Sequence, residues 1–116
     1  MMKRLIPKIF YDDLDQGLDL FVGCLGFTTT YRDEHLAVVE REGAKAYVVA
    51  SPEYAAKDRP EIAIETDDIE AIYEEIKMRR PEMLHPNSRV VERKPWGAKE
   101  FAVLDKTTVC VVFRQW

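Results

Sequence analysis

A chain of 116 residues is long enough to bury one hydrophobic core and predicts a single domain. Hydrophobic residues make up 47% and charged residues 33%, which is typical of a globular protein and excludes a disordered or fibrous chain. The formal net charge of -4 argues against nucleic acid as a partner, and no apolar run approaches the ~20 residues of a membrane-spanning helix. The first residues lack the pattern of a signal peptide, so we expect a cytoplasmic protein without membrane association.

The first half of the chain predicts the order strand, helix, strand, strand, strand. An alternating apolar run indicates a strand over residues 4–11, and Asp12-Asp13 follows with a carboxylate that can cap the first turn of a helix. The helix ends at Gly26. Its apolar face comprises Leu14, Leu18, Phe21, Val22 and Leu25. Strands follow over about 27–31, 35–40 and 45–50, with turns at Arg32-Asp33 and Glu42-Gly43.

The second half repeats this order. A strand over 61–66 leads into Asp67-Asp68, which matches Asp12-Asp13, and then into a helix that ends before Pro81. The apolar face of this helix comprises Ile69, Ile72 and Ile76. Further strands are predicted over about 88–92, 99–104 and 108–114.

The polar segment between the halves is bounded by prolines and predicts a linker over about 52–60. Module one then spans about 1–51 and module two about 61–116. Each half has the pattern β-α-β-β-β and is too small to bury its sheet alone. We therefore expect an α+β fold in which the two modules form one shared, open, barrel-like sheet.

The cysteines, Cys24 and Cys110, are too few for a disulfide framework or a cysteine-based metal cluster. Cys24 falls in a helical pattern and Cys110 in a strand pattern, so we expect two buried free thiols. A nucleophilic Cys110 would need a neighbouring base to form its thiolate, and the sequence places no histidine beside it. The pattern therefore predicts no catalytic residue.

Three segments in order resemble the glyoxalase / bleomycin resistance / dioxygenase superfamily, also called vicinal oxygen chelate proteins. "IPKIFYDDLDQGLDLFVGCLGF" is similar to its first strand and helix, and "RDEHLAVVEREG" to its third strand. "PWGAKEFAVLD" is similar to the Pro-Trp-Gly…Glu-Phe…Asp signature of bleomycin resistance proteins in particular. The resemblance covers essentially the whole chain and implies a glyoxalase-like fold.

One turn departs from the family pattern. Where the family usually has Asp-Pro-Asp-Gly-Asn, this chain has Asp105-Lys106-Thr107-Thr108-Val109. Because glycine adopts a positive φ without strain, its loss predicts a hairpin that turns differently.

Enzymes of this superfamily hold a divalent metal with His, Glu or Gln side chains from the first and last strand of each module. A metal site needs three or four such ligands. The matching positions here are Ile6, Glu61, Val112 and one of Tyr47, Val48 or Val49. Only Glu61 can be a ligand, so the resemblance implies no protein-held metal and no cofactor. The alternative is a metal-dependent enzyme, a lyase or dioxygenase, that uses Glu61 together with water or substrate ligands.

In bleomycin resistance proteins the drug is sequestered in grooves at a dimer interface, where a ring system stacks between two aromatic side chains. The resemblance assigns one of these positions to Trp96 and the other to His35, where the family usually has Phe. Trp96 is alternatively a hydrophobic plug that anchors its turn. His35 is alternatively a surface residue of its strand.

Glu61 and Glu65 lie on one face of their predicted strand and form either an acidic cavity wall or a solvated surface. The candidate ligand-binding residues are Trp96, His35, Glu61, Glu65, Phe10 and Tyr47. The resemblance implies a metal-free, drug-sequestering homodimer with a cationic or aromatic small-molecule ligand. A scaffold that binds no ligand is the remaining alternative.

Overall fold

The structure is a computed structural model that describes residues 1–57 and 59–116. The chain divides after residue 58 into two compact units with the same order of elements. Each unit contains one four-stranded sheet together with helical segments. The prediction of an α+β chain built from two β-α-β-β-β modules is therefore confirmed.

The first unit begins with β1 (Lys8–Tyr11), α1 (Leu14–Leu18) and a π-helical turn (Asp19–Cys24). It continues with β2 (Thr28–Arg32), β3 (Leu36–Arg41), β4 (Ala44–Ala50) and the short helix α2 (Pro52–Ala55). The strand order is β1-β4-β3-β2, in which β1 runs parallel to β4 and the other pairs are antiparallel.

The second unit contains β5 (Glu61–Glu65), α3 (Ile69–Arg79) and a 3₁₀ turn (Pro81–Met83). It ends with β6 (Glu92–Arg93), β7 (Lys99–Leu104) and β8 (Cys110–Gln115). The strand order β5-β8-β7-β6 repeats that of the first unit, with β5 parallel to β8.

The repeated aspartate pair begins a helix in both units. A carboxylate oxygen of Asp13 accepts a hydrogen bond from the backbone N–H of Gln16 at 3.2 Å. Asp68 does the same for Ala71 at 3.3 Å. Because the first N–H groups of a helix have no partner within it, these contacts stabilise both starts. The predicted capping is confirmed.

The first helix changes geometry in its middle. The N–H of Leu25 donates to the carbonyl of Leu20, five residues earlier, at 2.9 Å. This wider turn shifts the buried face, so Val22 is 38% exposed while Leu20 and Cys24 are buried. The prediction of Val22 on the apolar face was wrong for that reason. Gly26, with φ 75°, ends the segment as predicted.

The second helix follows its predicted pattern more closely. Ile69 and Ile76 are buried, and Pro81 follows the end of the helix. The ring centroid of Tyr73 lies 5.3 Å from that of Phe101, so α3 packs on β7. Among the described residues, no helix has both the length and the apolar character needed to cross a membrane.

Strand ends differ from the sequence pattern where local turns intervene. β1 begins at Lys8 instead of residue 4, and β6 contains only Glu92–Arg93 because the chain before it turns, with Ser88 donating to the carbonyl of His85. The predicted linker over 52–60 contains helix α2, which Ser51 caps. Asp58 of that linker lies outside the described residues.

The hairpin between β7 and β8 keeps a left-handed residue despite its lack of glycine. Thr108 adopts φ 73°, so the loss of glycine does not remove a positive φ from this turn. The buried Asp105 explains how this is possible, because its carboxylate accepts from the N–H of Thr107 at 2.8 Å and of Val109 at 3.0 Å. Arg59 also donates to the hydroxyl of Thr107 at 2.8 Å.

Candidate functional site

Alternation in the second sheet separates a core face from an open face. The core face carries Phe101, Val103, Val111 and Phe113. The open face consists of three rows across β5, β8 and β7. These rows are Glu61–Cys110–Leu104, Ala63–Val112–Ala102 and Glu65–Arg114–Glu100. All three β5 residues are exposed, and burial increases toward β7.

Trp96 projects from the hairpin loop between β6 and β7. Lys94 donates its N–H to the carbonyl of Ala98 at 2.7 Å, and Gly97 closes the loop with φ 97°, the geometry of a three-residue hairpin with a glycine bulge. The Trp96 indole N–H donates to Oε2 of Glu100 at 2.7 Å. The side chain is nevertheless 56% exposed, so it is not a buried plug.

Glu100 joins this indole to a cation on the neighbouring strand. Nε of Arg114 donates to the same oxygen, Oε2, at 2.7 Å. Burial alone would raise the pKa of Glu100, but the hydrogen bonds from Arg114 and Trp96 outweigh it and lower that pKa. The Glu100 carboxylate is therefore ionised at neutral pH and holds the indole in place.

Trp116 is anchored to the same sheet in the same way. Its indole N–H donates to Oε2 of Glu65 at 2.6 Å, while its side chain is 68% exposed. The sequence pattern assigned no role to Trp116. The signal that could have found it is alternation, because Trp116 lies two residues after Arg114 and therefore on the open face.

Glu61 contacts the thiol of Cys110, whose Sγ lies 3.7 Å from Glu61 Oε1. Burial, the negative charge of Glu61 and this hydrogen bond raise the pKa of Cys110 to about 11. The thiol is therefore protonated at neutral pH and a weak nucleophile. Both cysteines are free thiols as predicted, but only Cys24 is fully buried and Cys110 is half-buried.

The superfamily metal positions do not assemble a metal-binding site. Val112 lies in the middle of β8, and Ile6 lies before β1 begins. Within residues 1–57 and 59–116, no group of three or more His, Cys, Asp or Glu side chains could hold a metal ion. Glu61 and Cys110 are two possible donors, fewer than the three or four that a metal site requires.

Phe10 and Tyr47 lie on one face of the first sheet. Phe10 pairs in register with Val49, and Tyr47 precedes Val49 by two residues on β4, so alternation places both aromatic side chains on the same side. Both are half-buried. The Phe10 ring centroid lies 5.0 Å from that of Tyr54 on α2.

His35 belongs to a different part of the first unit. It is exposed and lies one residue before β3, where its N–H donates to the carboxylate of Asp33 at 2.8 Å. Alternation assigns His35 to the side of the buried Ala37 and not to that of Tyr47. Alternation therefore assigns His35 to the side of the first sheet opposite Phe10 and Tyr47.

Comparison with known proteins agrees with this architecture. Neither a family sequence model nor a curated protein sequence matches the chain. Solved structures do match it. A bleomycin-binding protein complexed with bleomycin is 21% identical with a TM-score of 0.79, and the match covers 99% of each chain.

Two further solved structures extend the comparison. The bleomycin-binding protein of Streptomyces verticillus, complexed with copper(II)-bleomycin, is 26% identical with a TM-score of 0.75 over 97% of each chain. Lactoylglutathione lyase from Agrobacterium tumefaciens is 15% identical with a TM-score of 0.72, over 98% of this chain and 94% of the lyase. The chain has the fold of the glyoxalase / bleomycin resistance / dioxygenase proteins, as the sequence resemblance predicted.

Proposed function

We propose that this protein binds and sequesters a small, flat molecule without a protein-held metal, as a drug-binding protein of the bleomycin resistance type. The ligand is aromatic and either cationic or neutral. The open face of β5, β8 and β7 is the proposed site. The single observation that carries this proposal is Trp96, whose ring is exposed to solvent while its N–H is held by Glu100.

An exposed indole with a fixed orientation can act as a stacking platform. Tryptophan is normally highly buried because it removes more apolar area from water than any other side chain. A good aromatic pair contributes about 0.5–1.5 kcal/mol beyond burial. Because Glu100 already holds the Trp96 ring, little rotamer freedom remains to be lost when a ligand stacks on it.

The charges on this face favour a cation. Glu61 and Glu65 are exposed and are held by neutral groups, a thiol and an indole. The charge of Glu100, by contrast, is offset by Arg114 at 2.7 Å. The two exposed carboxylates therefore contribute negative potential along β5.

Three residues of the first unit remain proposed ligand-binding residues, and each is tested by its own variant. We include Phe10 and Tyr47, which share one face of their sheet, and we test His35 because it can also present a flat ring. Since alternation assigns His35 to the other side, we expect His35→Ala to weaken binding less than Trp96→Ala does.

The proposal includes a homodimer in which both chains contribute to the ligand groove. Exposed apolar side chains near the first strand support it, namely Met1, Met2 and Leu5. Sedimentation velocity at micromolar concentration should give about twice the chain mass of 13.5 kDa. A species with the mass of one chain would contradict the dimer without affecting the binding proposal.

Calorimetric titration tests the binding proposal directly. Metal-free bleomycin and a panel of flat aromatic cations are titrated into the wild-type protein and into Trp96→Ala. We expect at least one saturable ligand whose affinity falls at least about tenfold in the variant, since Trp96 would supply the stacking surface. Tyr31→Ala is the matched control, because Tyr31 is also an exposed aromatic residue that donates to a carboxylate, that of Asp33 at 2.8 Å.

A metal-dependent enzyme that uses Glu61 is the second candidate. The observation that favours it is the contact between Glu61 and Cys110, which brings two possible metal donors together. Elemental analysis of purified protein separates the two candidates. About one metal per chain, lost in Glu61→Gln, would favour the enzyme, whereas substoichiometric metal in both proteins supports binding alone.

A further inference from the structure

The two tryptophans of this chain share one unusual combination of properties. Each side chain is more than half exposed, and each donates its indole N–H to a carboxylate of the second sheet. The acceptors are Glu100 for Trp96 at 2.7 Å and Glu65 for Trp116 at 2.6 Å. Hydrogen bonds to an ionised acceptor are about twice as strong as neutral ones, so both rings are held as fixed flat surfaces.

The two anchoring carboxylates belong to one row of the sheet. Glu100, Arg114 and Glu65 are consecutive register partners on β7, β8 and β5. Adjacent strands lie ~4.8 Å apart, so the two anchors start from backbones roughly 10 Å apart. One indole is therefore hydrogen-bonded to the glutamate at each end of this row. The distance between the two glutamate backbones is similar to the length of a molecule with two or three fused rings.

The two ends of this row differ in charge. At the Trp96 end, Glu100 forms an ion pair with Arg114 at 2.7 Å. At the Trp116 end, Glu65 is exposed, holds the neutral indole and interacts with the charge of Arg114 more weakly than Glu100 does. The small side chains Ala63, which is exposed, and Val112, which is half-buried, form the adjacent row.

We propose that Trp116 is a second aromatic contact for the ligand and that it positions Glu65 to select a cationic group. The ligand class is then a flat aromatic cation that stacks on Trp96 and directs its positive group to Glu65. This inference rests on the proposed binding function and adds a residue outside the Pro-Trp-Gly turn. Removal of the Trp116 N–H would let Glu65 reorient toward water and reduce the preference for a cation.

The experiment compares two probes on the full chain by equilibrium dialysis. Proflavine is the flat cation, and naphthalene-1-sulfonate is an anion with a flat ring system. We expect Trp116→Ala to weaken proflavine binding about tenfold, the upper range for one stacked ring. Trp116→Phe keeps a flat ring and loses the N–H, so we expect it to retain most of the affinity but to lower the ratio of proflavine to naphthalene-1-sulfonate binding.

Glu65→Gln identifies the carboxylate as the group that Trp116 positions. It should lower the same probe ratio as Trp116→Phe, and the double variant should lower it no further, because both changes remove one interaction. Tyr31→Ala, an exposed aromatic residue on β2, should leave both probes unaffected.

The outcomes separate this inference from the proposed function. If the wild-type protein binds proflavine and both Trp116 variants match it in affinity and probe ratio, the inference is wrong and the binding proposal stands. If the wild-type protein binds neither proflavine nor metal-free bleomycin, both proposals fail. Should Trp116→Ala fail to fold, Trp116→Phe decides the question, because it preserves an aromatic side chain at this position.

Discussion

Trp96 in the hairpin loop and Glu100 on β7, four residues later, are joined by an indole N–H that donates to a carboxylate at 2.7 Å. The acceptor is 6% exposed, whereas the donor is 56% exposed. The carboxylate of the pair is therefore buried on the open face of the second sheet, and the indole presents its ring to solvent. This relationship makes the roles of the two residues separable by mutation.

Trp96→Ala should remove ligand binding while it costs about 1.5–3 kcal/mol of unfolding free energy, the range for one hydrogen bond to a charged group. Truncation of a buried aromatic side chain would cost about 3–5 kcal/mol. Urea denaturation and calorimetric titration on the same variant measure both quantities. A large loss of stability with unchanged affinity in the folded protein would eliminate the binding role, and Trp96→Phe controls for loss of the ring itself.

Glu100 should contribute stability that depends on pH. Its pKa is lowered in the folded protein, so its stabilising effect is complete above the ordinary pKa of about 4.3 and is lost as pH falls through the lower folded value. We expect Glu100→Gln to cost about 1.5–3 kcal/mol at pH 7, in the range for hydrogen bonds to charged groups, and less at pH 3.

Urea denaturation between pH 3 and pH 7 measures this difference. The exposed Glu53 on α2 supplies the matched control, since Glu53→Gln should change the unfolding free energy at pH 7 by no more than about 0.5 kcal/mol. If the unfolding free energy of Glu100→Gln changes with pH in parallel with that of the wild-type protein, the contact with Arg114 has no pH-dependent effect.

Thr108→Gly should stabilise the protein. Threonine is branched at Cβ and is strained at φ 73°, a conformation that glycine adopts freely. Strain of this kind costs about 1–3 kcal/mol, and the greater flexibility of glycine in the unfolded chain offsets part of the gain. We expect a net increase of about 1 kcal/mol in unfolding free energy, measured by urea denaturation.

Thr107→Gly, one residue earlier, is the control for this turn. It removes the hydroxyl that donates to Asp105 and accepts from Arg59, both at 2.8 Å, so it should destabilise the protein. If both glycine variants destabilise equally, the strain assigned to Thr108 is absent.

Cys110 should react slowly with iodoacetamide at pH 8. Because its pKa is raised to about 11, only about one thiol in a thousand is ionised at that pH, and the thiolate is the reactive form. Glu61→Gln removes the negative charge that opposes ionisation, so its alkylation rate should be higher. Peptide mass spectrometry identifies the labelled cysteine, and Cys110→Ser should abolish the signal. Fast labelling of Cys110 in the wild-type protein would disprove the raised pKa.

The elements that local chemistry controls were predictable from the sequence. Asp13 and Asp68 cap their helices because a side chain three residues before a free N–H can always reach it. Gly26 and Gly97 adopt positive φ where the chain must bend, as glycine alone does without strain. Alternation of apolar residues likewise indicated which face of β3, β4 and β8 is buried.

The tertiary structure decided what depends on contacts between distant residues. Packing of the first helix on its sheet coincides with the π-helical turn that exposes Val22, and a pattern with one fixed helical period does not contain that change. At Gly17 an added Cβ would lie 2.8 Å from the Tyr11 ring, so helix and sheet approach closely there. Similarly, Thr108 keeps its positive φ because Asp105 and Arg59 hold the surrounding loop, and Arg59 is far away in the sequence.

In the candidate site, too, some features were predictable from local sequence and others depend on the tertiary structure. The Pro-Trp-Gly motif identified Trp96 from the sequence alone, because the turn chemistry is local. The proposed role of Trp116 depends on the register that sets β8 beside β5 and brings Arg114 level with Glu65. His35 was paired with Trp96 by resemblance and stays a prediction, and it is exposed one residue before the start of β3. The register between β5 and β8 is a property of the folded sheet, because these strands are distant in the sequence. A shift of one residue would move every side chain of a strand to the other face of the sheet.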